Sequence, residues 1–133
     1  TNFYNIKGDA IDLSGSEVKI KKIIANNIFD KVISAGEKTK LTIDNLEISS
    51  SGIGIASKDS SEVYGSNIRI SNCKIFDFAA FQKKEYFSGA LLNVKKVSSC
   101  NLPLVQEGSN LSINGTRING KIIDIKKLYD GAL

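Results

Sequence analysis

One short alternation of apolar and polar residues returns along the whole chain, reading apolar-x-apolar-x-x-apolar-x-apolar. Its copies are Val18, Ile20, Ile23, Ala25; then Leu41, Ile43, Leu46, Ile48; then Val63, Gly65, Ile68, Ile70. Two weaker copies follow at Leu92, Val94, Val97, Ser99 and Leu111, Ile113, Thr116, Ile118. Successive copies start 23, 22, 29 and 19 residues apart, a period near 22 with its departures absorbed in connecting turns. Within each copy the alternation has period 2, as half-buried strands require, and slips by one residue at a polar pair. Those pairs are Lys21-Lys22, Asp44-Asn45, Ser66-Asn67, Lys95-Lys96 and Asn114-Gly115. No helix has that spacing. Two short strands joined at a bend do, because the extra residue restores the inward orientation after the corner.

A third apolar segment precedes each copy: Ala10 to Leu13, Val32 to Ala35, Gly54 to Ser57, Phe78 to Phe81, Leu104 to Gln106 and, last, Ile122 to Ile125. Three strands and three turns in about 22 residues predict an all-β fold, a right-handed parallel β-helix of five to six coils. Stacked about 4.8 Å apart, the coils would make a rod of roughly 25 to 30 Å. A Greek-key sandwich gives no reason for a constant period. Aligning the coils puts Asn27, Ser50, Asn72 and Asn101 in one column, where an asparagine ladder at a left-handed corner is expected. The lone Pro103 falls in a connection, which suits a stack whose strands need their N–H groups.

Composition narrows the chemistry. The 133 residues fit one domain, 1–133, and contain no Met, which reads as a piece of a larger protein. There is no His and no Trp. Histidine triads and His-ligated zinc are thereby excluded, leaving carboxylates, Lys, Tyr and two Cys. The net charge of +4 is spread along the chain rather than gathered in a basic stripe, so no nucleic-acid partner is expected. No apolar run is long enough to span a bilayer, so no membrane insertion is expected either. Cys73 and Cys100 lack CxxC spacing and read as buried thiols rather than a disulfide. Asn110-Leu-Ser and Asn114-Gly-Thr match glycosylation acceptors within turn-rich sequence.

The turn after the third strand carries the densest polar functionality. Stacking brings Glu37, Lys58, Asp59, Ser60 and Lys84 to one face, beside the longest insertion, 82–88, with Gln82, Lys83, Tyr86 and Phe87. Alternating charges on adjacent coils suit a solvated turn face. The same residues also make a sugar-polymer surface, with Tyr86 or Phe87 stacking on a ring and Gln82, Lys83 and Lys84 reaching hydroxyls or carboxylates. An enzyme would use Asp59 or Glu37 as acid, or Lys58 as a base beside a uronate carboxylate, and a lysine base needs burial that a polar turn does not promise. Calcium requires three or more convergent carboxylates, and only Glu37 and Asp59 stack, so neither metal nor cofactor is expected.

The segments GDAIDLSGS (8 to 16), ISAGEKTKLTI (33 to 43), GIASKDSSEV (54 to 63) and AAFQKKEYF (79 to 87) resemble the pectate-lyase-like β-helix modules of large bacterial cell-surface proteins, some of which carry a spore-coat-kinase-like domain. The likeness covers about Gly8 to Asn101. It implies an extracellular or cell-surface scaffold that contacts polysaccharide, and it transfers no catalytic residue. A noncatalytic polysaccharide-binding module is therefore the first expectation, with a lyase or hydrolase acting on acidic glycans and a structural spacer as alternatives. Because Thr1 to Lys7 reads as the tail of a coil and Ile122 to Leu133 as the start of another, continuation of the rod or end-to-end self-association is also expected.

Overall fold

The computed structural model describes residues 1–98 and 102–131. The chain winds into a parallel β-solenoid of about five turns spaced about 22 residues apart. Its strands are β1 (Asn2–Ile6), β2 (Ile11–Ser14), β3 (Glu17–Ile20), β4 (Ile23–Gly36), β5 (Lys40–Ile43), β6 (Leu46–Lys58), β7 (Glu62–Phe81), β8 (Leu91–Ser98), β9 (Leu104–Val105), β10 (Asn110–Ile113) and β11 (Thr116–Ile118), followed by helix α1 (Ile125–Gly131). Several strands turn corners, with a register shift after Ile28 and after Ser51, and β7 runs through all three faces of the rod.

Three sheets result. Sheet 1 stacks β1 on residues 23–28, 46–51 and 68–73. Sheet 2 stacks β2 on residues 33–36, 55–58 and 78–81 and on β9. Sheet 3 stacks β3, β5, residues 62–65, residues 91–94 and β10. The pairings repeat the register expected from the apolar pattern: Val18 lies beside Leu41, Leu41 beside Val63 and Val63 beside Leu92. Inside the rod, Ile33, Ile43, Ile55, Ile68, Phe78, Leu92 and Val94 have no exposure. Burying each large apolar side chain contributes about 1.5–3 kcal/mol.

The corner between sheets 1 and 2 is left-handed in four successive coils: Asn5, Asn27, Ser50 and Asn72 all have positive φ. Asn27 Nδ2 donates to Asn5 Oδ1 at 2.9 Å, so the ladder extends one coil further toward the N-terminus than the asparagine column predicts. Asn101 and Cys100 lie outside the described residues. Next to this corner the backbone of one coil touches that of another. A Cβ on Gly54 would stand 2.5 Å from the Asp77 carbonyl oxygen, which only glycine avoids. Cys73 is a buried thiol within 3.2 Å of the Ser51 hydroxyl.

Two expectations for the C-terminal quarter are corrected. The copy Leu111, Ile113, Thr116, Ile118 is not a coil with a bend, since β10 turns back into β11 as an antiparallel hairpin. Asn114 and Gly115 both hold positive φ, 51° and 83°, as a two-residue turn that matches strand twist demands. Nor is Ile122 to Ile125 a strand. Residues 122–124 are irregular, and α1 begins at Ile125 and folds back along the outside of sheet 2. There Ile125, Leu128 and Tyr129 pack on Ile53, Ala56, Ala79 and Phe81, so this sheet is apolar on both faces.

Candidate functional site

The turn from sheet 2 to sheet 3 is built from consecutive left-handed residues, Glu37-Lys38 in one coil and Asp59-Ser60 in the next. Hydroxyls hold the coils together beneath it. Thr39 Oγ1 accepts from the Ser16 N–H at 3.3 Å, Ser61 Oγ from the Thr39 N–H at 3.2 Å, and Ser109 Oγ from the Ala90 N–H at 2.9 Å. Thr39 and Ser61 are buried, and a buried N–H left without an acceptor costs about 1–3 kcal/mol. This hydroxyl ladder was missed in the sequence. Its signal is a Ser or Thr immediately before most strands of sheet 3.

Above the ladder the candidate residues meet, in roles of unequal kind. Glu37 accepts from the Ser14 hydroxyl at 2.8 Å and pairs with the Lys84 ammonium, which reaches it from the insertion. Those contacts hold the Glu37 carboxyl below the usual carboxylate range, the Lys84 hydrogen bond first, and push the Lys84 ammonium up. Asp59 is 2% exposed, and its Oδ1 accepts from the N–H groups of Lys83 and Lys84 at 2.7 and 2.9 Å. Its side chain folds the insertion, which is a structural task. Gln82 spans the same loop, donating to the Phe87 carbonyl, while Ser60 and Ser88 share a hydroxyl contact at 2.8 Å. The effect is a pinned loop that leaves Tyr86 almost wholly exposed.

Two lysines of the set turn the other way. Lys83 Nζ lies 4.5 Å from the centre of the Tyr129 ring on α1, and Lys31 Nζ lies 5.6 Å from it. Lys31 is buried and paired with Asp30 at 3.1 Å and Asp9 at 3.8 Å. Burial raises the pKa of Asp9 against the pull of that ammonium. Lys58 is half-buried on the same side, and burial, then the charges of Lys31 and Lys83, push its pKa down. The turn thus withdraws Lys58 partly from water, which its polar sequence did not promise. The Tyr129 hydroxyl and the Ser34 hydroxyl are buried here without a hydrogen-bond partner.

A second concave surface was not anticipated. At the corner between sheets 3 and 1, Lys22, Asn45, Asn67 and Lys96 stand one coil apart, each preceding the aligned residues Ile23, Leu46, Ile68 and Val97. The stack spans about 14 Å at the usual strand spacing. Together with Glu47 and Arg69 these side chains line a groove of about 560 Å³. A hollow of about 300 Å³ continues past Glu47 and Arg69 to Ser49, Ser71 and Ser98, and another of about 310 Å³ on sheet 3 is lined by Thr42, Asp44, Tyr64, Asn93 and Lys95. Tyr64 is 44% exposed there. No family model, curated protein or solved structure matches this chain. Its chemistry must be read from the surface itself.

That surface offers amide and hydroxyl groups, an exposed ring and more bases than acids. Such a set recognises hydroxyl-rich ligands by hydrogen bonding and carboxylates by charge. Among the described residues no three His, Cys, Asp or Glu side chains converge as a metal cage. The sequence signal for the groove was present as the polar pairs at each bend, which the period-2 slip explained without reference to what they face.

Proposed function

We propose that this chain is a noncatalytic β-helix module of a cell-surface protein that binds acidic polysaccharide. The observation that carries this reading is the groove at the bend between sheets 3 and 1, about 560 Å³ and lined by Lys22, Asn45, Asn67, Arg69 and Lys96 with Glu47 as its acid. Lysine and arginine flanking a row of amides favour a polymer that presents carboxylates among hydroxyls. The pinned loop with Tyr86 and Lys84 supplies a second contact at the opposite edge of sheet 3, and the pectate-lyase-like resemblance agrees with a surface scaffold. Isothermal titration against polygalacturonate and a neutral glucan tests it. Binding to the acidic polymer that weakens with salt, and falls roughly ten-fold or more in the Arg69→Ala/Lys96→Ala variant, is the expected result. Lack of binding to both polymers overturns the reading.

One feature favours the lyase alternative: Lys58 is half-buried beside Lys31 and Lys83, and burial and those charges push its pKa down, the direction a lysine base requires. Incubating the chain with polygalacturonate and following the ultraviolet absorbance of an unsaturated uronate decides it. Absorbance growth abolished by Lys58→Met would replace binding with catalysis.

A further inference from the structure

The groove between sheets 3 and 1 changes sign along the rod. Each of four successive coils presents there a polar pair at the bend and, two residues on, the first outward position of sheet 1. The first of these coils carries Lys21 and Lys22 with Ile24, and the second Asp44 and Asn45 with Glu47. The third carries Ser66 and Asn67 with Arg69, and the fourth Lys95 and Lys96 with Ser98. Charge therefore runs positive, negative, positive, positive from coil to coil. All the charged side chains in this band are exposed. The salt bridges among the described residues, at Lys31, Lys40 and Lys84, involve none of them.

The two acids flank the second coil from both sides. Glu47 lines the groove and the hollow that continues over sheet 1, whereas Asp44 lines the neighbouring hollow on sheet 3. Between them Asn45 Nδ2 donates to the Lys21 carbonyl at 3.2 Å, which ties this part of the floor to the coil before it. A ligand unit lying over Asn45 has a carboxylate on either side, whichever way it is turned. Units over the other three coils meet cations. Stacked coils advance about 4.8 Å each. That step is close to the advance of one pyranose unit in an extended polymer, so a chain running along the rod sets one sugar on each coil.

We infer that the groove selects an acidic polysaccharide whose uronates alternate with N-acetylated hexosamines, laid along the rod with a hexosamine over Asn45. This inference rests on the polysaccharide reading of the groove and narrows it. Uronates then fall on the coils of Lys22 and Arg69, where an ammonium and a guanidinium fork receive their carboxylates. The hexosamines fall on the second and fourth coils, and their amide suits both. Its N–H donates to the carboxylates of Asp44 and Glu47, and its carbonyl accepts from the ammonium groups of Lys95 and Lys96. A polymer with a carboxylate on every unit must set one of them between Asp44 and Glu47. Like charges held that close repel, and no cation of the same coil offsets them.

Isothermal titration of the 133-residue chain with two hexasaccharides tests the selection: one of hyaluronan, which alternates glucuronate and N-acetylglucosamine, and one of galacturonate. A groove that read charge alone would prefer the galacturonate, which carries twice as many carboxylates. The unsubstituted chain should instead bind the hyaluronan hexasaccharide about five-fold more tightly. D44N/E47Q should erase that preference by strengthening galacturonate binding about five-fold. E107Q/D130N changes the net charge equally at exposed residues that do not line these hollows, and should keep the preference. Matching circular dichroism spectra exclude unfolding as the cause. Galacturonate bound as tightly as hyaluronan by the unsubstituted chain overturns the inference and leaves the polysaccharide reading in place. So does a preference that survives D44N/E47Q. Absence of binding to both sugars, as hexasaccharides and as polymers, overturns the inference together with the reading it rests on.

Discussion

Asp59 is the residue on which the insertion 82–88 depends, and its replacement separates two costs. The carboxylate is 2% exposed and one oxygen takes two backbone N–H groups, at 2.7 and 2.9 Å. Hydrogen bonds to a charged acceptor contribute about 1.5–3 kcal/mol each, and removing the acceptor strands two donors. The backbone adds a second cost, for φ at Asp59 is 51°. Glycine adopts that conformation freely, asparagine tolerates it, and alanine loses roughly 1–2 kcal/mol. Asp59→Gly should therefore lose about 3 kcal/mol of folding stability through the missing acceptor, and Asp59→Ala about 1 kcal/mol more. Asp59→Asn keeps an uncharged acceptor and the backbone preference, and should lose about 1 kcal/mol. Urea unfolding gives the order, and hydrogen exchange at the Lys83 and Lys84 amides gives the cause. If Asp59→Ala stays within 1 kcal/mol of the parent, or those two amides keep their protection, the assignment of Asp59 as the loop's anchor is wrong.

Two further outcomes follow from contacts around that loop and α1. The Glu37 carboxyl should titrate below an ordinary glutamate by NMR and move up when Lys84 is replaced by Ala, because the Lys84 hydrogen bond is the larger part of its shift. Its folded pKa lies below the unfolded one, so its contribution to stability is complete above the unfolded value and fades as pH falls through the folded value. Truncation after Asp124 should raise binding of a hydrophobic dye and lower stability, since it uncovers Ile53 and Phe81, both without exposure and worth about 1.5–3 kcal/mol each. Unchanged dye fluorescence would mean that α1 does not cover sheet 2 in solution.

The repeat was legible because a solenoid coil writes its inward positions directly into the chain. Val18, Leu41, Val63 and Leu92 fall in one column by sequence alignment, and the ladder pairs them in that order. The corner asparagines were legible for the same reason, as one position met once per coil. What the period hid was any departure from it. Asn114-Gly115 occupies the slot of a bend, and the two-residue positive-φ turn makes it a hairpin that breaks the parallel order of sheet 3. The polar groove was likewise folded into the explanation of the bend, although Lys22 and Lys96 recur there one column apart from the core.

The sequence also held a warning about sheet 2 that alternation alone does not register. In residues 52–57 and 78–81 apolar or small side chains follow one another without a charged residue, as in strands buried on both faces. Ile55 and Phe78 face the rod interior, whereas Ile53, Ala56, Ala79 and Phe81 face outward and demand a cover. A seven-residue helix has little stability by itself. Its formation over this face is therefore a product of docking, and the apolar positions Ile125, Leu128 and Tyr129 belong to sheet 2 as much as to the helix. The Tyr129 ring carries that cover to its polar limit, where it meets Lys31 and Lys83. Beyond that ring the outer face of sheet 2 changes to Ser34 and Asp12, aligned with Ala56 in the same column. The helix thus lies over the part of the outward face that is apolar, and the composition of the sheet decides where a cover is needed.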